Sequence, residues 1–481
     1  RLLDSQNIPR DLLNKYKSST VVDNFIYHLK KYSLITSESN TFPQSTPTFS
    51  IHRSMQEISL AYFIKSLTLG KNHQFLKSIT HTLGDYIAEV IEEKDFLKMK
   101  ILISHCEMLL SHHNLLTNIT KGTVSSELGG LYTYQEDPLK AIPLLEESFT
   151  ELNKGGTENY AQLVRTLFYL GITYWDKGNY EKVKNVAEQC ILIYKKNFPE
   201  DYAGLAKALA LLGNAHRELG NYETAKGLFQ QSLIYYKKCY PENHVRVAGV
   251  LTSLGFAYYE LANYEEAKKH LEKSLKICKK HYAANHYEIG RALVILGKVH
   301  KKLGNYKQAQ NHLEEAYTVQ TKLFSEDHYT VAWILGSQGS VYGKLGNYKK
   351  AKSLIKKCLQ NFEKNFGKNH LEPAKILLDL GQVYLLEGHL KRAEHHLRKS
   401  LEIFQQNKHP ESYTALESLA ELYLKKPMSK LVKKDTQQSQ AFKGQAISCL
   451  KQALQIVKIH FPADSSHITR IQYKLKSLEA R

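Results

Sequence analysis

The chain has 481 residues, of which 42% are hydrophobic and 23% charged, and this balance excludes a chain that is disordered throughout. No apolar run reaches about 18 residues, which argues against a membrane-spanning helix, and the polar residues 1–10 lack the apolar core of a signal peptide. The net charge of +19 predicts an acidic partner, although a lysine-rich solvated surface explains it equally well.

The six cysteines lie far apart in the sequence and form no CxxC pair. This spacing favours reduced thiols in a cytoplasmic protein over a disulfide framework or a zinc site. We therefore predict a cytoplasmic location, no cofactor and no metal site. The cysteines are Cys106, Cys190, Cys239, Cys278, Cys358 and Cys449.

In chain order, residues 1–62 form the first predicted domain. Residues 8–13 predict a helix start with Pro9 in its first turn, and residues 29–35 predict a helix that runs into a strand. Residues 49–53 alternate like a second short strand, and another helix is predicted to begin at Met55. Two such strands around a polar loop would form a wing.

The next predicted segment, residues 63–121, is a helical spacer that contains a degenerate copy of the repeat described below. Phe96 falls at the position of the turn aromatic, Met99 at that of the alanine and Cys106 at that of a second small residue. The fit to the repeat is partial.

Residues 122–463 contain a repeat with a step of 42 residues. The triplet Gly-Asn-Tyr recurs, once with Ala for Gly and last in a looser form. Its copies begin at Gly178, Gly220, Ala262, Gly304, Gly346 and Gly388. A glycine column keeps the same step from Gly129 to Gly381, and a column of small residues keeps it from Ala141 to Ala393. A fixed step of this kind predicts stacked helix pairs.

The repeat columns have physical interpretations. The Gly of the triplet can adopt the left-handed conformation that ends a first helix, and the Asn is a good N-cap for the second helix. Gly and Ala within the helices allow two helices to approach closely. After seven clear units the register loosens, and we predict an eighth unit with an inserted loop at 426–440 and a capping helix at 464–481.

The pattern L-G-x-x-Y followed by G-N-Y-x-x-A resembles the tetratricopeptide repeat. The 42-residue unit and the Asn-His pairs at 243–244 and 285–286 resemble the kinesin light chain subtype. This resemblance implies an all-α fold, a right-handed α-solenoid of tetratricopeptide helix pairs. The asparagines that kinesin light chains place before the glycine column are absent, since Ala210 and Leu211 stand there.

The N-terminal motifs I-P-x-x-L-L, L-x-x-Y-S-L-I and F-x-I-H-R-x-M-Q-E resemble the winged-helix element of STAND-type (NB-ARC) ATPases with C-terminal tetratricopeptide repeats. The resemblance implies a small N-terminal winged-helix domain. The sequence contains no G-x-x-x-x-G-K-[ST] phosphate loop. If the resemblance holds, the nucleotide-binding module precedes Arg1 in a longer protein.

The 22 histidines suggest a metal or catalytic site at first sight. Seven of them recur at the repeat period, His244, His286, His328 and His370 in one column and His270, His312 and His396 in another, which indicates a structural role. No H-E-x-x-H motif, nucleophile elbow or suggestive carboxylate pair occurs. We predict that the chain is not an enzyme.

In tetratricopeptide arrays the first helix of each pair lines the concave face. The positions six and three before the glycine column, and one, four and five after it, then predict a basic groove with aromatic side chains. Such a groove suits an acidic peptide with aromatic anchors or a single-stranded nucleic acid. Its predicted residues are Arg165, Phe168, Trp175, Lys207, Asn214, Arg217, Phe256, Tyr259, Arg291, Lys298, Lys301, Trp333, Lys344 and Lys375.

Three functions remain open at this point. In the first, the chain is the sensor region of a STAND-type signalling ATPase, and its repeats bind the molecule that triggers signalling. Alternatively, it is a free-standing adaptor, such as a bacterial protein with eukaryote-like repeats, that binds a partner protein. The third possibility is binding of single-stranded nucleic acid.

Overall fold

The computed structural model describes residues 3–4, 6–32, 34–39, 48–51, 74–93, 95–135, 137–156, 159–426 and 436–479. The chain divides into two compact units, Arg1–Pro199 and Glu200–Arg481, here called unit 1 and unit 2. Antiparallel helix pairs stack side by side in both units, and the predicted all-α solenoid is confirmed.

Unit 1 begins with a small sheet and two helices. They are β1 (Ile8–Pro9), α1 (Arg10–Tyr16), α2 (Ser19–Lys31), β2 (Ile35–Ser39) and β3 (Thr48–Ile51). The strands are antiparallel in the order β1-β3-β2. The helix predicted to start within residues 8–13 is present, but Pro9 precedes its first turn, because Ile8 pairs with Phe49 in the sheet and α1 begins only after Pro9.

Strands are present at both ends of the polar loop predicted at residues 36–47, but β2 takes up residues 36–39 of that loop. Residues 40–47 are outside the described residues. The helix predicted to begin at Met55 also lies outside them, within residues 52–73.

The other described elements of unit 1 are helices. They are α3 (Gln74–Glu93), α4 (Phe96–Ser111), a short 3-10 helix (His113–Leu115), α5 (Asn118–Tyr134), α6 (Pro138–Lys154), α7 (Tyr160–Asp176) and α8 (Tyr180–Asn197). Phe96 begins α4 as a turn aromatic would, and Met99 and Cys106 are fully buried. The degenerate repeat of this segment stays a prediction.

The described residues of unit 2 form six further helix pairs and a last helix. They are α9 (Tyr202–Glu218), α10 (Tyr222–Cys239), α11 (Val245–Glu260), α12 (Tyr264–His281), α13 (Tyr287–Lys302), α14 (Tyr306–Gln320), α15 (Tyr329–Lys344), α16 (Tyr348–Phe366), α17 (Leu371–Glu387), α18 (Leu390–Gln406), α19 (Ser412–Lys425), α20 (Thr436–His460) and α21 (Ser466–Glu479).

The inserted loop of the eighth unit is shorter than the predicted 426–440. α20 already begins at Thr436, because its first residues, which include no Gly or Pro, extend the helix anchored at the buried Ala446. Residues 427–435 are outside the described residues. The predicted closing helix is present as α21, which buries Ile468, Ile471 and Leu475.

The turns within the pairs follow the sequence columns. Gly304 and Gly346 both have φ of 82°, the left-handed conformation that ends a first helix, and Ala262 adopts it with φ of 62°. The side chains of Asn263 and Asn347 then accept hydrogen bonds from the backbone N–H groups of Glu266 and Lys350, in the first turn of the next helix, as N-caps do.

The glycine column lies at the contact between the two helices of a pair. A Cβ atom at Gly297 would be 2.6 Å from Cγ of Leu313, and one at Gly255 would be 2.7 Å from Cγ of Leu271. No larger side chain fits there without moving its neighbour.

The histidine column caps the first helices. Nδ1 of His244, His286, His328 and His370 accepts a hydrogen bond from the N–H group two residues further on. Each ring also stacks on an aromatic ring four residues earlier, with centroids 3.5 to 5.1 Å apart. These histidines therefore have the structural role that their period indicates.

Candidate functional site

Three predicted groove residues lie in unit 1 and serve its internal packing. Nη1 of Arg165 donates hydrogen bonds to Oε1 of Glu127, at 2.9 Å, and to the carbonyl oxygen of Gly84, at 3.3 Å. Phe168 is buried, and the Trp175 ring packs edge-on against Tyr180 with centroids 5.2 Å apart. Arg165 therefore neutralises a buried carboxylate of its own unit.

In unit 2 the first helices bring a lysine among aromatic rings. Nζ of Lys298 on α13 lies 4.7 Å from the ring centroid of Trp333 on α15 and 5.5 Å from that of Phe256 on α11. It is also 6.0 Å from the Tyr259 ring, and the Arg217 guanidinium stacks on Phe256 at 4.0 Å. These five predicted groove residues thus form one cluster, which we call the aromatic cluster.

Beside this cluster, neighbouring first helices are joined by polar contacts. Nζ of Lys301 donates to Oγ of Ser340, at 2.7 Å, and that hydroxyl donates to Oδ1 of Asp379, at 3.2 Å. Nη2 of Arg291 donates to Oγ of Ser253, at 2.7 Å. Two more of the predicted cations therefore bind groups of the protein itself.

The first helix of unit 2 also meets helices near the end of the chain. Oε2 of Glu218 on α9 accepts a hydrogen bond from Nζ of Lys375 on α17, at 3.1 Å, and its Oε1 lies 2.7 Å from Nη2 of Arg217. Nε2 of His409 lies 3.1 Å from the Glu218 carbonyl oxygen. Although burial opposes it, the cations Arg217 and Lys375 lower the pKa of Glu218 to about 2.

Close packing accompanies these polar contacts. The turn at Gly220 lies so near Pro410 that a Cβ atom there would be 2.2 Å from Cδ of the proline. The Tyr222 and Phe461 rings have centroids 5.7 Å apart. We call this set of contacts the closure, because through it the first helix pair of unit 2 packs against the connection between α18 and α19 and the end of α20.

Several ionisable side chains near the closure have shifted pKa values. Burial lowers the pKa values of the Lys298 and Lys301 ammonium groups. Burial, followed by repulsion from Glu411, raises the pKa of Glu260 to about 7. Burial also raises the pKa of Glu411, and its Oε2 is buried without a hydrogen-bond partner among the described residues.

Three further predicted groove residues lie in unit 2. Lys207 and Lys344 are exposed. Asn214 is half-buried, and its Oδ1 is buried with no hydrogen-bond partner in the described part of the chain. The position of Asn214 on α9 corresponds to that of Lys298 on α13, since each directly follows the glycine column.

The predicted basic groove needs correction in unit 2, because carboxylates lie among its cations. Glu218 and Glu260 stand five residues after the glycine column, the position held by Lys302 in the next repeat, so the sequence pattern could have revealed them. Asp379 and Glu411 lie at positions that the pattern does not mark. We call the side of unit 2 that its first helices form the inner face. This face therefore carries both positive and negative charges.

Within the described ranges, no helix is long and apolar enough to cross a membrane. Nor do three or more His, Cys, Asp or Glu side chains converge there in a group that could hold a metal ion.

The repeat array matches models of the tetratricopeptide repeat. One model matches four overlapping segments, residues 204–280, 246–322, 288–364 and 330–406, and a second matches residues 164–197. The tetratricopeptide resemblance of the array is thereby confirmed. A search of curated proteins found no match.

Several solved structures resemble the chain. A kinesin-light-chain-type protein of Podosopora anserina is 19% identical, with 44% of this chain and 99% of that one covered at a TM-score of 0.33. A STAND protein with a tetratricopeptide repeat sensor from Pyrococcus horikoshii is 16% identical, with coverages of 92% and 60% and a TM-score of 0.46. The Rap conjugation gene regulator of the plasmid pLS20, in complex with the Phr* peptide, is 16% identical, with coverages of 78% and 96% and a TM-score of 0.49.

Proposed function

We propose that the chain is a protein-interaction region and that the inner face of unit 2 binds a peptide segment of a partner protein. The observation that carries this proposal is the aromatic cluster around Lys298. Carboxylates lie next to it, and neighbouring cations balance their negative charges only in part. The rings offer apolar surface, and the lysine offers a charge with no ion-pair partner among the described residues.

The buried polar atoms indicate what such a peptide supplies. Oε2 of Glu411 and Oδ1 of Asn214 are buried acceptors that have no hydrogen-bond donor among the described residues. Buried acceptors of this kind cost free energy until they are paired. Peptide N–H groups would pair with them once these side chains turn towards the ligand. A carboxylate of the ligand would pair with Lys298 or with the exposed Lys302, which keeps the acidic, aromatic-bearing peptide as the proposed ligand class.

The experiment is a selection of peptides from a displayed random library on the purified chain. Lys298→Gln should weaken the binding of selected peptides about tenfold or more, since a charge-assisted contact in a desolvated site is worth about 1.5 to 3 kcal/mol. Lys357→Gln, an exposed lysine on α16, is the matched control and should leave affinity unchanged. Equal affinities for the Lys298 variant and the parent chain would refute the site.

We further propose that the chain is the sensor region of a STAND-type ATPase, a free-standing adaptor being the alternative. The N-terminal element supports this proposal because it is fastened to the helices that follow. Asp11 accepts hydrogen bonds from the Tyr86 hydroxyl, at 2.6 Å, and from Nζ of Lys98, at 3.2 Å, and Nζ of Lys15 lies 2.5 Å from Glu89. Such contacts can transmit a displacement between α1 and the helices α3 and α4.

The native reading frame decides between the two alternatives. Continuous coding sequence with a phosphate-binding loop upstream of Arg1 would support the ATPase. A start codon at this position would favour the adaptor.

A further inference from the structure

The second helices of unit 2 carry very different charges at equivalent positions. Four positions recur in each of them, two and one residues before the alanine column and five and six residues after it. In α16 and α18 all eight are cationic. They are Lys349, Lys350, Lys356 and Lys357 on α16, and Lys391, Arg392, Arg398 and Lys399 on α18, and we call them the outer basic face.

The same positions in earlier pairs are mostly acidic or neutral, so the helix-pair fold does not require cations there. On α12 they are Glu265, Glu266, Glu272 and Lys273. On α14 they are Lys307, Gln308, Glu314 and Glu315. The cationic set is therefore a property of α16 and α18 alone among these four helices.

The cations of the outer basic face are open to solvent and largely uncompensated. Seven of the eight are exposed, and Lys399 is half-buried. Within the described residues, Arg398 has an ion pair, with Glu394 at 3.1 Å, whereas Lys356 and Lys357 have none. On α12, by contrast, Lys273 pairs with Glu242 at 3.1 Å and Lys279 with Glu315 at 2.7 Å.

The spacing spreads these charges over a regular surface. Lys349 and Lys356 are seven residues apart, which is about 10.5 Å along one side of a helix, and the equivalent residues repeat this spacing on α18. Charges on both helices affect the pKa of His396 on α18. Burial, the neighbouring His395 and the charges of Lys356 and Lys399 together lower its pKa to about 4.

We propose that the outer basic face binds the phosphate backbone of a nucleic acid. Each of its eight cations can neutralise a phosphate, and the six lysines do so as point charges, without a fixed geometry. A protein partner would be expected to find apolar anchors, yet α16 and α18, both described throughout, expose no large hydrophobic side chain. The same lack of apolar side chains disfavours insertion into a lipid surface.

The test compares two triple charge reversals in the full chain. One variant carries Lys356→Glu, Lys357→Glu and Lys399→Glu on the outer basic face. The control carries Lys269→Glu, Lys276→Glu and Lys280→Glu at exposed sites on α12, so both have the same net charge. Binding of fluorescein-labelled oligouridylate is measured by anisotropy at salt concentrations from about 50 to 200 mM.

The parent chain should bind, with affinity that falls steeply as salt rises. The outer variant should lose at least about tenfold in affinity and show a shallower salt dependence, while the control stays within about threefold of the parent. Absence of binding by the parent at about 50 mM salt, or equal losses in both variants, would overturn the proposal. Equally tight binding of polyglutamate or of phosphatidylserine vesicles would overturn it too, in favour of an acidic protein or a membrane.

Circular dichroism shows whether each variant is folded. If the outer triple variant does not fold, Lys349→Gln with Lys391→Gln, which introduces no acidic group, should still weaken oligouridylate binding relative to the parent. Unchanged binding by that folded double variant would contradict the proposal.

Discussion

The inner and outer sides of unit 2 use the same residue type in opposite ways. On the inner side, Lys298 lies among aromatic rings with a lowered pKa, and Lys375 pairs with the buried Glu218. On the outer side, Lys356 and Lys357 are exposed and have no ion pair among the described residues. The net charge of +19 therefore does not predict where a basic surface lies.

The inner side should be far more sensitive to the loss of one charge. Glu218→Ala leaves Arg217 and Lys375 without their carboxylate, and breaking such a buried pair should lower the free energy of unfolding by about 3 kcal/mol. Glu315→Ala on the outer side breaks an exposed pair with Lys279 and should cost less than about 1 kcal/mol. Urea denaturation followed by circular dichroism measures both free energies of unfolding. Equal losses in the two variants would contradict the expected difference between the inner and outer sides.

The inner side should also respond to pH through Glu260. Its pKa of about 7 lies above the usual value of about 4.3, so the folded state holds the proton more tightly than the unfolded state. This contribution to stability is complete below about pH 4.3 and is lost as the pH rises through about 7. Glu260→Gln should therefore raise the free energy of unfolding by about 2 kcal/mol at pH 8, and hardly at all at pH 4.

Thermal melts of the Glu260 variant and the parent at both pH values measure this difference. Glu272→Gln, at an exposed position on α12, is the matched control and should show no such pH dependence. A stabilisation of the Glu260 variant that is the same at both pH values would contradict the assignment.

The smallest effect is expected on the outer side. Lys356→Gln should change the free energy of unfolding by no more than about 0.5 kcal/mol, as is usual for exposed residues. It should nevertheless raise the pKa of His396 from about 4, because one of the charges that lower it is removed. An NMR titration of the His396 ring tests this, with Lys276→Gln on α12 as the control, and an unshifted titration would show that Lys356 does not act on His396.

Much of the fold could be predicted from the sequence because the repeat is local. The glycine turns and the capping histidines act within a few residues, and a step of 42 residues makes each one recognisable. Counting from the glycine column likewise brought Phe256, Lys298 and Trp333 together, since neighbouring first helices lie side by side.

The closure could not be predicted in this way. Glu218 and Lys375 are 157 residues apart, and no local pattern indicates that α9 meets α17. Glu411 was missed for a related reason. It lies in the connection before α19, outside the repeat columns, and its burial depends on packing between distant helix pairs. Glu218 and Glu260, by contrast, stand at a position that the repeat columns mark.

The closure has a consequence for how unit 2 unfolds. In an open repeat array each pair contacts only its neighbours, so stability is a sum of local terms and the ends fray independently. Here the contact of Tyr222 with Phe461 adds a term that joins the first pair to the last. Loosening either end therefore removes support from the other, so unit 2 should unfold as one cooperative body and lose its N-terminal pair when its C-terminal helices are deleted.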